Sequence, residues 1–324
     1  MCSTFGRAER IRVPFPAAIT TTFSTMPPPV LRRSRWRPPI IAALLVALAA
    51  LSGCGMALKL GYDQGSPIAF RWLDGYVDFD DAQSLRVRGA LDEWFAWHRR
   101  TQLPAYADLL LRGEAEVLVN TTPERVCAWA DEIRRRVDLA FEHARPALLD
   151  LLPTLTAKQI ANVEKKYAER NETFRDDFLQ RDPATRREAS VEREVERAEK
   201  LYGALDDAQR GRLAQGVADS PFDAELAYAE RLRRQQDALA MLRRVVRPGA
   251  TRADADAEMR AYVQRLDRSP DEGFRRYAAK LSDYNCALAA SLHNRTSAAQ
   301  RSIAVKRLQA YERDLRDLAA AASK

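Results

Sequence analysis

Apolar residues recur at helical spacing along most of the chain. After Asp80, the residues Val87, Leu91, Trp94, Phe95 and His98 share one face at intervals of three and four. The same period returns in Ile160, Val163, Tyr167, Phe174, Phe178 and in Phe274, Tyr277, Leu281, Tyr284, Leu288, Leu292. It returns a last time in Ile303, Leu308, Tyr311, Leu315, Leu318. This is the signature of amphipathic helices. No run of four to eight residues alternates apolar and polar positions with β-branched enrichment, as a strand would. Between Arg186 and Lys200 an Arg/Glu mixture leaves only Val191, Val195, Ala198 and Tyr202 as an apolar stripe, which predicts a long exposed helix touching one neighbour. The expected fold is all-α: an elongated multi-helix bundle of about nine amphipathic helices.

Helix starts are marked in two ways. Asp80-x-x-Gln83, Thr156-x-x-Gln159, Asp206-x-x-Gln209 and Ser297-x-x-Gln300 have the spacing of a capping box. Prolines at first helical positions mark further starts at Pro123, Pro183, Pro221 and Pro270. The helix after Asp80 is expected to stop at Leu103-Pro104, because proline cannot continue a helix interior. Arg247-Pro248-Gly249-Ala250-Thr251 is the weakest internal boundary.

Near the start the pattern changes. Arg32, Arg33, Arg35 and Arg37 precede twelve consecutive apolar residues, Ile40 to Leu51. As a helix that run rises about 18 Å at ~1.5 Å per residue, short of a ~30 Å hydrocarbon core. It has the length and flank of a signal-peptide apolar region; the other reading is a short transmembrane anchor. Leu51-Ser52-Gly53-Cys54 then resembles the lipobox of bacterial lipoproteins at all four positions. That resemblance implies cleavage before Cys54, lipidation of its thiol and acylation of the new terminus. With Gly55 where inner-membrane lipoproteins carry aspartate, it also implies the periplasmic face of the outer membrane. The organisation expected is a leader or over-extended start at 1–25, a signal peptide at 26–53, a lipidated tether at 54–66 and a helical domain at 67–324.

Charge changes meaning once the leader is set aside. The whole chain has 52 Lys+Arg against 45 Asp+Glu, a net of +7. Seven of the basic residues and one acid lie in 1–53, leaving 45 against 44. The basicity is the leader's, and no surplus remains to favour nucleic acid. With Cys54 committed to lipid, Cys127 and Cys286 remain. They form one disulfide in an oxidising compartment, or sit buried as two small hydrophobes.

Candidate chemistry is sparse. His98, His143 and His293 have no second His or Cys at i+3 or i+4, so no metal-ligand pair is expected. His98, near the expected helix end, would suit the negative pole as a partly protonated imidazole. Asp74, Asp78 and Asp80 form the densest acidic string, but the glycine and glutamate of a calcium loop are missing. These acids, with Trp94 and Trp97, are the candidates for a partner contact; capping and core packing are the plainer roles. No Gly-x-Ser-x-Gly elbow, Ser-x-x-Lys or phosphate loop is present, so neither enzymatic activity nor a cofactor is expected.

From Tyr62 onward the chain resembles an uncharacterised family of helical bacterial lipoproteins, a domain of unknown function. The similar strings are Trp72-Leu73-Asp74-Gly75-Tyr76-Val77-Asp78, Trp97-His98-Arg99-Arg100 with Leu103-Pro104, Leu155-Thr156-Ala157-Lys158-Gln159, and Leu292-His293-Asn294-Arg295-Thr296. The resemblance implies fold and address but no activity. Leu155-Thr156-Ala157-Lys158-Gln159 also looks like the Leu-Thr-x-x-Gln signature of small periplasmic helical chaperones, from which Phe79-Asp80, Leu205-Asp206 and Ser297 depart. The expected function is a lipid-anchored, non-enzymatic scaffold or assembly factor binding an envelope protein. A chaperone-like holdase is the alternative, and an envelope hydrolase a third.

Overall fold

The computed structural model describes Lys59, residues 61–179 and residues 182–321. The signal region, with Leu51, Ser52, Gly53 and Cys54, lies outside the described residues. Every regular element described is helical. The chain runs through α1 (Gly65–Val77), α2 (Asp81–Trp97), a π-turn (His98–Gln102), α3 (Leu103–Glu116), α4 (Pro123–Leu151), α5 (Ala157–Phe178) and α6 (Pro183–Tyr202). It continues through α7 (Asp207–Ala218), α8 (Ala224–Val245), α9 (Arg252–Asp267), α10 (Glu272–His293) and α11 (Ala298–Ala320). The all-α bundle is as expected, with eleven α-helices among the described residues in place of about nine.

One of the added helices comes from Pro104. The helix from Asp80 does not stop there. The backbone widens into the π-turn, and Pro104 falls in the first turn of α3, where its missing N–H is harmless. Two predicted starts also move. Asp223 and Asp271, not the prolines before them, cap α8 and α10 by accepting from backbone N–H groups. The turn at Arg247–Thr251 joins α8 to α9, and both helices feed one core. The expected tether reaches too far, since Tyr62 is buried against Leu103 and Leu318. The charged helix α6 packs against two neighbours, α7 and α11, where one was expected; its stripe residues Val195, Ala198 and Tyr202 are buried as predicted.

All four predicted capping boxes form, and they meet in pairs. Gln83 and Gln159 exchange amide hydrogen bonds, as do Gln209 and Gln300 at 2.8 Å in each direction. Each amide oxygen also accepts from its own N-cap N–H, at 2.9–3.1 Å. Each amide nitrogen donates to the carbonyl two residues before its partner's N-cap: Thr154, Asp78, Arg295 and Ala204. One device thus ties the starts of α2 and α5 together, and repeats at the starts of α7 and α11. The residues before the caps, Leu155 and Leu205, are buried beside it.

Two apolar clusters hold the rest. Ile160 and Val163 of α5, Leu239, Leu242 and Val245 of α8, and Met259, Tyr262 and Leu266 of α9 pack under Leu149. The second gathers Val117, Val195, Ala198, Tyr202, Leu205, Leu213, Leu292 and Ala304. Full burial of a leucine such as Leu239, 1% exposed, contributes about 2 kcal/mol. The disulfide Cys127–Cys286 joins α4 to α10.

Candidate functional site

The sequence-nominated residues are mostly structural. Asp80 caps α2. Asp74 accepts from the backbone of Phe79 at 3.0 Å, closing the turn in which Asp78 takes a left-handed φ of 64°. Asp78 is exposed, with Lys158 and Asn162 each at 3.5 Å. Trp94 does not lie on a contact surface: it is buried, and its indole donates to the Ala140 carbonyl at 2.9 Å. Trp97 stacks on His143 at 3.8 Å. The acids and the tryptophans therefore serve turns, caps and packing; Asp78 caps the C-terminus of α1 through its backbone, and its exposed carboxylate faces Lys158 and Asn162.

His98 corrects a second expectation. It is not a protonated group at a helix end: it is 1% exposed in the π-turn and stacked on Trp94. Burial pushes its imidazole down to about 4, so it is neutral at pH 7, and its Nδ1 shares a hydrogen bond with the Tyr62 hydroxyl at 2.8 Å. His293 is held in the same way by Tyr202 at 2.8 Å. Its Nε2 donates to the Val119 carbonyl at 2.7 Å, and burial is the main cause lowering its pKa. Asn294 and Arg301 bind the same 118–121 loop. The string Leu292–Thr296 is thus a clamp on the α3–α4 connection.

Beside that clamp a groove opens, with a cavity of about 920 Å³. One wall is apolar: Leu109 and Leu110 of α3 with Val126, Trp129 and Ile133 of α4. The opposite wall is α6, whose Arg186, Ser190, Arg193 and Arg197 lie in a row at i, i+4, i+7 and i+11, all half-buried. The floor is α7 and α10, where Gly216 lets Leu288 approach so closely that a Cβ would sit 2.4 Å from it. Val126 and Asn285 line the groove next to Cys127 and Cys286, so the disulfide fixes the apolar wall to the floor.

The charges in the groove are unevenly matched. Glu116 pairs with Arg125 and accepts from the Trp129 indole at 2.7 Å. Arg197 pairs with Glu194. Arg193 lies 4.7 Å over the Phe178 ring and donates to the Ser190 hydroxyl at 2.9 Å. Its pKa is lowered, first by burial and then by Arg197. The charge mixture of this helix is plain in the sequence, and the spacing of its arginines places them in one row; that the row faces a groove is not written in the helix itself.

Elsewhere, buried Glu230 is a structural ion-pair centre. Burial opposes its charge, but hydrogen bonds from Arg233 and Arg234 hold its carboxyl below the usual range. Among the described residues, no group of three or more His, Cys, Asp or Glu is placed to hold a metal, and no helix is long and apolar enough to cross a membrane.

Fold and groove together define an all-α bundle organised by paired glutamine caps, with one amphipathic cleft built across it. The chain belongs to a family of unknown function (DUF6279), whose model matches residues 75–254. That match runs from α1 into the start of α9, so Gln300 and the α10 floor of the groove lie beyond it. No curated protein and no solved structure matches the chain.

Proposed function

We propose that this is a lipid-anchored protein of the bacterial cell envelope, held through Cys54 at the periplasmic face of the outer membrane, which works by binding other envelope components and not by catalysis. The observation that carries the binding role is the groove, with one apolar and one arginine-bearing wall. The address rests on the arginine cluster, the short apolar run and the Leu51-Ser52-Gly53-Cys54 box. The Cys127–Cys286 bond suits an oxidising compartment. Two or more acyl chains make an anchor durable where one does not.

A holdase is the second reading, favoured by exposed Ile133, Val137 and Leu139 on α4. The Leu-Thr-x-x-Gln string does not itself add to it. Gln159 is buried in the glutamine pair and presents nothing to a client.

The anchor is tested by fractionation. The wild-type protein is expected with the membranes and labelled by radioactive palmitate. Cys54→Ala is expected unlabelled and in the soluble periplasmic fraction. Unchanged membrane association of Cys54→Ala would rule out the lipid anchor.

A further inference from the structure

We propose that the chain is two copies of one helical unit, α1–α5 and α6–α11, bound face to face about a local two-fold axis. The surface made by α3, α4 and α5 is then an interface built for a second copy of the same unit.

The glutamine pairs carry the correspondence. Asp80-Asp81-Ala82-Gln83 in the first unit and Asp206-Asp207-Ala208-Gln209 in the second are the same string. At the same offset, buried Val87 matches buried Leu213. The carbonyls that receive the partner's amide also match, Asp78 with Ala204. The other member of each pair repeats in the same way. Thr156 and Gln159 match Ser297 and Gln300, and buried Val163 matches buried Ala304. Thr154 matches Arg295 as the receiving carbonyl. Unrelated capping boxes share a cap and a glutamine, but not the buried neighbour, the bonded partner and the carbonyl beyond it.

Contacts between the units are reciprocal, as a two-fold requires. α3 and α8 are counterparts, each ending on a valine, Val117 or Val246, shortly before a threonine cap, Thr122 or Thr251. α3 packs on α11, the last helix of the second unit, and α8 packs on α5, the last helix of the first. The cross-link obeys the same rule. α4 corresponds to α9 and α10 together. Counted from the threonine caps, Cys127 matches Asp256; at the offset of Gln159 and Gln300, Arg145 matches Cys286. Cys127 bonds Cys286, and Asp256 pairs with Arg145. One contact is a disulfide, and its mate is an ion pair.

The units differ where the groove is. Met259, Tyr262 and Leu266 of α9 are buried in the first apolar cluster. Their counterparts on α4 are Ala130, Ile133 and Val137, and the last two are exposed. Ile133 lines the groove. The same face is core in one copy and groove wall in the other.

The test uses the mature chain carrying Cys54→Ala, with Cys127→Ser/Cys286→Ser removing the native bond. In that background Arg145→Cys/Asp256→Cys is expected to form the mate disulfide, so that mild oxidation consumes both thiols. Each single cysteine variant should keep its thiol in dilute solution. A protease site inserted between Leu179 and Pro183 then severs the link between the units. The cut protein is expected to elute as one particle with unchanged circular dichroism. The new bond should hold its two pieces together on a denaturing gel. Free thiols in the folded Arg145→Cys/Asp256→Cys chain, or pieces that part after cutting, would overturn the two-fold arrangement. If the cysteine variant does not fold, the cut protein with its native pair reduced decides: pieces that stay paired support the arrangement, and pieces that part overturn it.

Discussion

Reduction of the Cys127–Cys286 disulfide is expected to remove about 5 kcal/mol of stability. The bond closes a loop of 159 residues, and in the chain-entropy account a loop of that size restricts the unfolded chain by about 5 kcal/mol. For a chain of this length that corresponds to a fall in melting temperature on the order of 10 °C. The bond also fixes the apolar wall of the groove, since Val126 and Asn285 flank its cysteines. Thermal melts of the oxidised protein, the reduced protein and Cys127→Ser/Cys286→Ser check this. The last two are expected to melt together, well below the first. Equal melting in all three would mean that the cross-link does not hold α4 against α10.

Gln209→Ala is expected to cost about 3 kcal/mol, several times what a surface cap is worth. An isolated cap such as Thr251 contributes about 1 kcal/mol. Gln209 is 2% exposed and does three things at once. It accepts from the Asp206 N–H, donates to the Arg295 carbonyl and exchanges bonds with Gln300. Its loss leaves several buried polar groups without partners, and each such group costs about 1–3 kcal/mol. Gln300→Ala breaks the same network, so the double variant should cost clearly less than the sum of the two. Urea denaturation of the four proteins measures this. A cost near 1 kcal/mol with simple additivity would show that the two boxes act as separate caps.

The glutamine pairs mark the limit of what the sequence disclosed. Each box was legible, because an N-cap and its glutamine sit three residues apart. Pairing joins residues 76 and 91 positions apart, and no local period carries that information. The same boundary explains Pro104: proline does forbid a helix interior, but the π-turn beginning at His98 makes it a first-turn residue. His98 then followed, since an expected helix end became a buried turn. The two cysteines left pairing and separate burial both open, and topology decides for the bond. The stripe Val195, Ala198, Tyr202 was legible as the buried face of α6. The arginine row beside it looked like solvated charge, because nothing in one helix states that the facing wall is set back to leave a cleft.

The proposed binding role requires that the protein hold a ligand in the α4–α6 groove. A benzophenone amino acid at Ile133, inside the groove, tests it directly in living cells. The same probe at Leu85, 76% exposed and on α2, serves as the surface control. A light-dependent adduct at position 133 and none at position 85 is the predicted result. No adduct at 133, or the same adducts at both positions, would rule out a binding role for the groove.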